Sequence, residues 1–263
     1  MSHIISLGKQ LPGLRAGIIV LVVTVVSLGA CVSPQGTPST VTSVKPPSQP
    51  TSPLSPTKPP PPTDWPYRWL KGIPCQPPCW EGITPGQTTA AEAVEILGRS
   101  PLIATAEITS IPLLPTIGLV IWDWVDGEEG GEAVFNAQMP SNLVYLVHPS
   151  FPITFRLGDV IQAYGEPSHV IARSHREPHN SGVSYDLSIL YRPQGFVLVG
   201  SAGLSKPTLS ADTPVSVTFF APDDEGLRAA LGGAAAYPEW LVPWQGMKDF
   251  DYYCRDIAGK PCP

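Results

Sequence analysis

The sequence predicts an α+β protein: two tandem units, each a short helix followed by an antiparallel β-meander, placed after a signal peptide and a disordered Pro/Ser/Thr stalk. Three observations predict it. An apolar run opening at Ala16 ends at Cys31; residues 32–63 turn to Pro, Ser and Thr; and beyond Asp64 short capped helical patterns alternate with runs of period-two apolar residues. The expected division is 1–30 leader, 31–63 linker, 64–150 first unit, 151–222 second unit and 223–263 C-terminal helix and tail.

In the leader, Lys9 and Arg15 form a basic region, Ala16 to Ser27 an apolar one, and small Gly29-Ala30 a cleavage site. The competing reading is a retained helix, for which Ala16 to Val32 is about the minimum spanning length. Leu28-Gly29-Ala30-Cys31 resembles the bacterial lipobox. That resemblance implies cleavage before Cys31 after its sulfur receives a diacylglycerol, and so a lipid-anchored protein on the outer face of the cell membrane or in the cell envelope. Either reading exports everything beyond Cys31, and two acyl chains suffice for stable attachment.

From Val32 to Thr63 the only charges are Lys45 and Lys58, and the stretch ends in Pro59-Pro60-Pro61-Pro62. Such a segment buries too little apolar area to offset its ordering entropy and favours extended polyproline geometry. At ~3.1 Å per residue it reaches up to roughly 100 Å, which makes it a spacer. Losing Lys9 and Arg15 with the leader leaves 14 basic against 22 acidic residues, a formal charge near −8. An acidic chain without a basic stripe argues against nucleic acid as a partner. The membrane, through the anchor, and an envelope protein are the partners expected.

Four cysteines remain: Cys75, Cys79, Cys254 and Cys262. An even set in an exported chain points to two disulfides, in any of three connectivities. A bridge between the Cys75/Cys79 segment and the Cys254/Cys262 tail is attractive because closing a long loop removes more unfolded-state entropy. Zinc is the competitor, but neither spacing is the usual two-residue one.

In the first unit, Thr89 and Glu92 have capping-box spacing for a helix over Ala90 to Leu97, with Ala93, Ile96 and Leu97 as its apolar face and Gly98 as its stop. Strands are expected at Gly118–Trp124, Glu132–Ala137 and Asn142–Val147, with an acidic turn at Asp126–Gly131. The second unit answers with Ile153 to Asp159, a helical face of Val160, Ile161 and Tyr164, then Gly165 and Pro167. Its strands are His169–Ala172, Tyr185–Tyr191, Phe196–Gly200 and Val215–Phe220, with a turn at Pro193-Gln194-Gly195. Asp223-Asp224-Glu225 then open a third helix through Leu227 to Leu231, and an aromatic tail is expected to lie across the sheet or the Trp65–Trp80 segment.

The Gly-x-Thr start, the helix ending in Leu97-Gly98 or Tyr164-Gly165, the nearby proline and the meander are similar to the BamE/SmpA small-lipoprotein fold, which also occurs in tandem in β-lactamase-inhibitor proteins. The block Pro78 to Thr89 resembles a segment of uncharacterised envelope lipoproteins. These resemblances imply a non-enzymatic, protein-binding scaffold.

No motif for a nucleophile, a phosphate loop or a metalloprotease is present, and no catalytic, cofactor or metal residue is assigned. His169, His175 and His179 are read as lying in a polar connection, because Pro178 prevents a helical pair. Asp123, Asp126, Glu128, Glu129 and Glu132 read as a solvated hairpin tip without calcium-loop spacing. An envelope hydrolase is the alternative, with Asp123, Glu128 and His148 as its first candidates. A glycan-binding lipoprotein is the other, stacking sugars on Trp240 and Trp244.

Overall fold

The computed structural model describes residues 64–176, 183–200, 206, 208–232, 238–255 and 262. The leader, Cys31, the stalk and His179 lie outside the described residues. The chain enters through a 3-10 helix, Trp65–Lys71, which has Pro66 in its first turn and closes on Gly72 in the left-handed region. Helix α1 (Ala90–Arg99) starts on the expected capping box: the Glu92 N–H donates to Thr89 Oγ1 at 3.2 Å and the Thr89 N–H to Glu92 Oε2 at 2.8 Å. It runs through Gly98 and ends at Ser100, which is extended, as a residue preceding proline tends to be.

Strands β1 (Ile103–Ile111), β2 (Leu114–Trp124), β3 (Glu129–Asn136) and β4 (Val144–Pro149) follow, then β5 (Phe155–Arg156) and helix α2 (Leu157–Tyr164). Next come β6 (His169–Arg176), β7 (Val183–Tyr191), β8 (Phe196–Gly200) and β9 (Pro214–Phe220), helix α3 (Asp224–Leu231), β10 (Val242–Pro243) and helix α4 (Phe250–Tyr253). β6 extends four residues beyond its expected end, so His169 and His175 belong to a strand and not to a connection.

These strands do not form two helix-plus-meander units. They build one antiparallel sheet of ten strands, in the order β1-β2-β3-β4-β9-β8-β7-β6-β10, with β5 also on β9. The seam is β4 on β9, through Leu146↔Phe220 and Val147↔Phe219, and β5 continues along β9 through Phe155↔Val215. All four seam residues are buried. A strand apolar on both faces is unfavourable at an edge, and pairing β4 with β9 buries both at once. The expected α+β arrangement of two tandem helix-plus-meander units is overturned by this single continuous sheet.

One face of the sheet carries the main core. Val120, Trp122, Ala133, Phe135, Val147, Phe219, Val217, Leu198 and Ile189 face α1, α2 and the entry segment. Aromatic rings fix that segment: Trp69 meets Phe155, Phe196 and Phe219 edge-on and stacks on Tyr164, and Trp80 stacks on Trp122 at 5.2 Å. The Tyr164 hydroxyl donates to the Trp69 carbonyl, and burial pushes its pKa up to about 12, so it stays a donor.

The tail lies along β6. β10 pairs Val242 with Val170, Cys254 bridges to Ala172, the Arg255 N–H donates to the Ala172 carbonyl at 3.1 Å, and Phe250 packs edge-on against Tyr185. The disulfides are both local, Cys75–Cys79 and Cys254–Cys262, and do not join the tail to the entry segment. Loop entropy favoured the long bridge. Placement decides instead: a turn in which the Cys79 N–H donates to the Gln76 carbonyl brings one pair together, and the Cys262 N–H donates to the Cys254 carbonyl in the other.

Candidate functional site

The second face of the sheet is covered unevenly. Leu227 of α3 packs on Leu190, Val197 and Phe220, and Trp240 packs on Ile171. Arg173 lies 5.1 Å over the Trp240 ring and pairs with Asp186 at 3.1 Å, so that half is closed by apolar contact and balanced charge. Toward β1 no helix of the described residues covers the face.

A row of partly polar side chains crosses it. Ile121, Glu132 and His148 stand opposite one another on β2, β3 and β4, and His148 Nδ1 lies 2.8 Å from Thr218 Oγ1 on β9. Tyr145 stands near this row: burial first, then the Glu225 and Glu132 carboxylates, push its pKa up, leaving the phenol protonated. The His148–Thr218 pair is not a nucleophile and base. Thr218 is 1% exposed, so its hydroxyl fixes the imidazole but meets no substrate.

The hydrolase candidates are not brought together. Asp123 accepts a 2.8 Å bond from the Thr105 hydroxyl and stands two residues along β2 from Ile121, which is in register with Glu132 and His148, so Asp123 and His148 lie roughly 7 Å apart along the strands and two strands apart across them. Glu128 lies in the β2–β3 turn. Trp240 and Trp244 are buried, so neither ring offers an exposed stacking surface for a sugar. Burial, then the Arg192 charge, hold the His169 pKa below its ordinary value. Among the described residues no group of three or more His, Cys, Asp or Glu side chains fits a metal ion, and no helix is long and apolar enough to cross a membrane.

What sequence reasoning missed is β1. It pairs only with β2 among the described residues and forms a nine-residue margin of the sheet, with Ala104, Thr105, Glu107, Ile108 and Ser110 exposed. Between Arg99 and Arg156 the chain has six acidic side chains, Glu107, Asp123, Asp126, Glu128, Glu129 and Glu132, and no Lys or Arg. Beside β1, on the core side, an open groove of about 680 Å³ is lined by Ile108, Ser110, Gly118, Phe135 and the first residues of α1. Gly118 permits it: a Cβ there would come within 2.1 Å of the Phe135 ring. No protein-family model, curated protein or solved structure matches the chain.

Proposed function

We propose that this is an exported lipoprotein, anchored through diacylglycerol on Cys31 and carried on the Pro/Ser/Thr spacer, whose sheet domain binds an envelope protein and performs no chemistry. The observation that carries the anchor is the lone Cys31 closing an apolar run, outside an even set of four cysteines. Support for binding is a broad antiparallel sheet in which, among the described residues, the β1 margin has no further strand and half of the second face has no covering helix. Labelled fatty acid and detergent partition test the anchor: wild type carries label and enters detergent, and Cys31→Ser does neither. Label on Cys31→Ser, or none on wild type, rejects it. Crosslinking in intact envelope, against a form lacking residues 32–63, tests the binding role. Turnover of a cell-wall substrate, lost on changing Asp123 or Glu128, would replace it with the hydrolase.

A further inference from the structure

The orientation of the β1 backbone follows from its neighbours. The Trp124 N–H donates to the Glu128 carbonyl and the Ala137 N–H to the Thr116 carbonyl, both at 3.0 Å, so even-numbered residues of β2 address β3. Odd-numbered residues therefore address β1, where Asp123, Ile121 and Leu119 meet Thr105, Glu107 and Thr109. The Ala106, Ile108 and Ser110 N–H and C=O groups consequently point away from the sheet. They form a template for one more strand.

The two sides of that template differ. Ile108, 52% exposed, stands across from buried Val120 and lines the groove, whose apolar floor at Phe135, Ala90 and Ala91 is rimmed by Thr89, Ser141 and Asn142. Glu107, across from Ile121, lies on the other side, the face that also carries Asp123 and Glu132. Residues 100–155 carry six acidic side chains and no Lys or Arg, so the charge that β1 to β4 themselves contribute is negative. Resting on the protein-binding reading above, we propose that β1 is a strand-addition site for a basic extended segment of a partner. Its alternate apolar side chains enter the groove beside Ile108, and its intervening Lys or Arg side chains face Glu107 and Asp123. A second copy of this chain fits less well, because pairing centred on Glu107 sets like charges opposite each other.

The test uses the full chain in detergent and an acetylated, amidated peptide of alternating lysine and valine, matched in length to the nine residues of β1. Binding is read by fluorescence anisotropy and by amide exchange. The expected result is protection at Ala106, Ile108 and Ser110, with affinity at least about tenfold lower for the valine–glutamate peptide. Ile108→Pro removes an outward N–H together with the Ile108 side chain at the groove, at a position where edge strands tolerate proline, and abolishes binding while the melting curve stays near wild type. N-methylation of alternate peptide amides does the same without touching the protein, and Glu107→Lys inverts the preference between the two peptides.

Binding that survives both Ile108→Pro and N-methylation overturns the site and leaves only attraction between opposite charges. A dimer of the chain that Ile108→Pro dissociates, without peptide binding, overturns it in favour of self-pairing. Envelope crosslinks to a protein through Ser188, on the other face, and never through Ile108, overturn this site while the binding role stands.

Discussion

The two margins of the sheet are finished in opposite ways. At β6, β10 adds a short pair, Cys254 bridges to Ala172, and the Cys254–Cys262 disulfide holds the returning chain in place. At β1, nine residues carry no such cover among those described, and Glu107 is the strand's one charge. Natural edges are blunted by charge, proline, bulges or a covering segment. β6 receives a cover; β1 has bulges near its ends, between Ile103 and Thr105 and between Ser110 and Ile111, which leave Thr105 to Ser110 in regular register. Among the described residues, the same sheet therefore has one margin closed by the tail and one to which no further strand is added.

If the margins differ in finish and not in support, the core beneath each is equally costly to disturb. Trp122→Ala, under β2, and Phe250→Ala, under β6, should each lose about 3–5 kcal/mol in urea denaturation. A loss under about 1 kcal/mol at Trp122 would mean that the β1 side lacks a packed interior. Removing the tail disulfide with Cys254→Ser and Cys262→Ser should cost about 2–3 kcal/mol, from the closed-loop length, and speed amide exchange at Val170 and Ala172 while leaving β1 unchanged. Equal acceleration at both margins would contradict the assignment of the tail as a local cover.

Thr89→Ala should cost about 1 kcal/mol by removing the α1 cap beside the open margin. A pH effect is expected at the closed one. The folded state holds the His169 pKa below its ordinary 6.5 and so favours the neutral ring. Its contribution is complete above that value and declines as pH falls through it toward the folded pKa. Urea midpoints above and below 6.5 should show this decline, and His169→Asn should flatten it. The smallest effect is Ile108→Lys, within about 0.5 kcal/mol, because its side chain is largely in solvent at an edge.

Local features were legible in the sequence. Thr89 and Glu92 sit three residues apart, so their reciprocal bonds need only one turn of helix. Gly195 closes the β7–β8 turn at positive φ, as its place after Pro193-Gln194 suggested. β1 was missed because alternation records a buried and a solvated face, and an edge strand solvated on both sides keeps no such rhythm. The β4–β9 pairing was missed for a different reason. Leu146-Val147 and Phe219-Phe220 are apolar on both faces, and nothing within either strand identifies its neighbour. The candidate site was legible only as scattered letters: His148 stood out in its strand, but Thr218 is 70 residues away.

The seam has a consequence for the order of assembly. The β1–β2, β2–β3 and β7–β8 hairpins close over short connections, whereas β4 reaches β9 only after a loop of some seventy residues has been gathered in. Loop closure of that length carries the larger entropy cost, so hairpins should be protected early in refolding and the β4–β9 amides late. During that interval Leu146, Val147, Phe219 and Phe220 are uncovered. At high protein concentration β4 of one molecule then competes with its own β9 for that of another, making the seam the point at which exchange of arms between molecules begins.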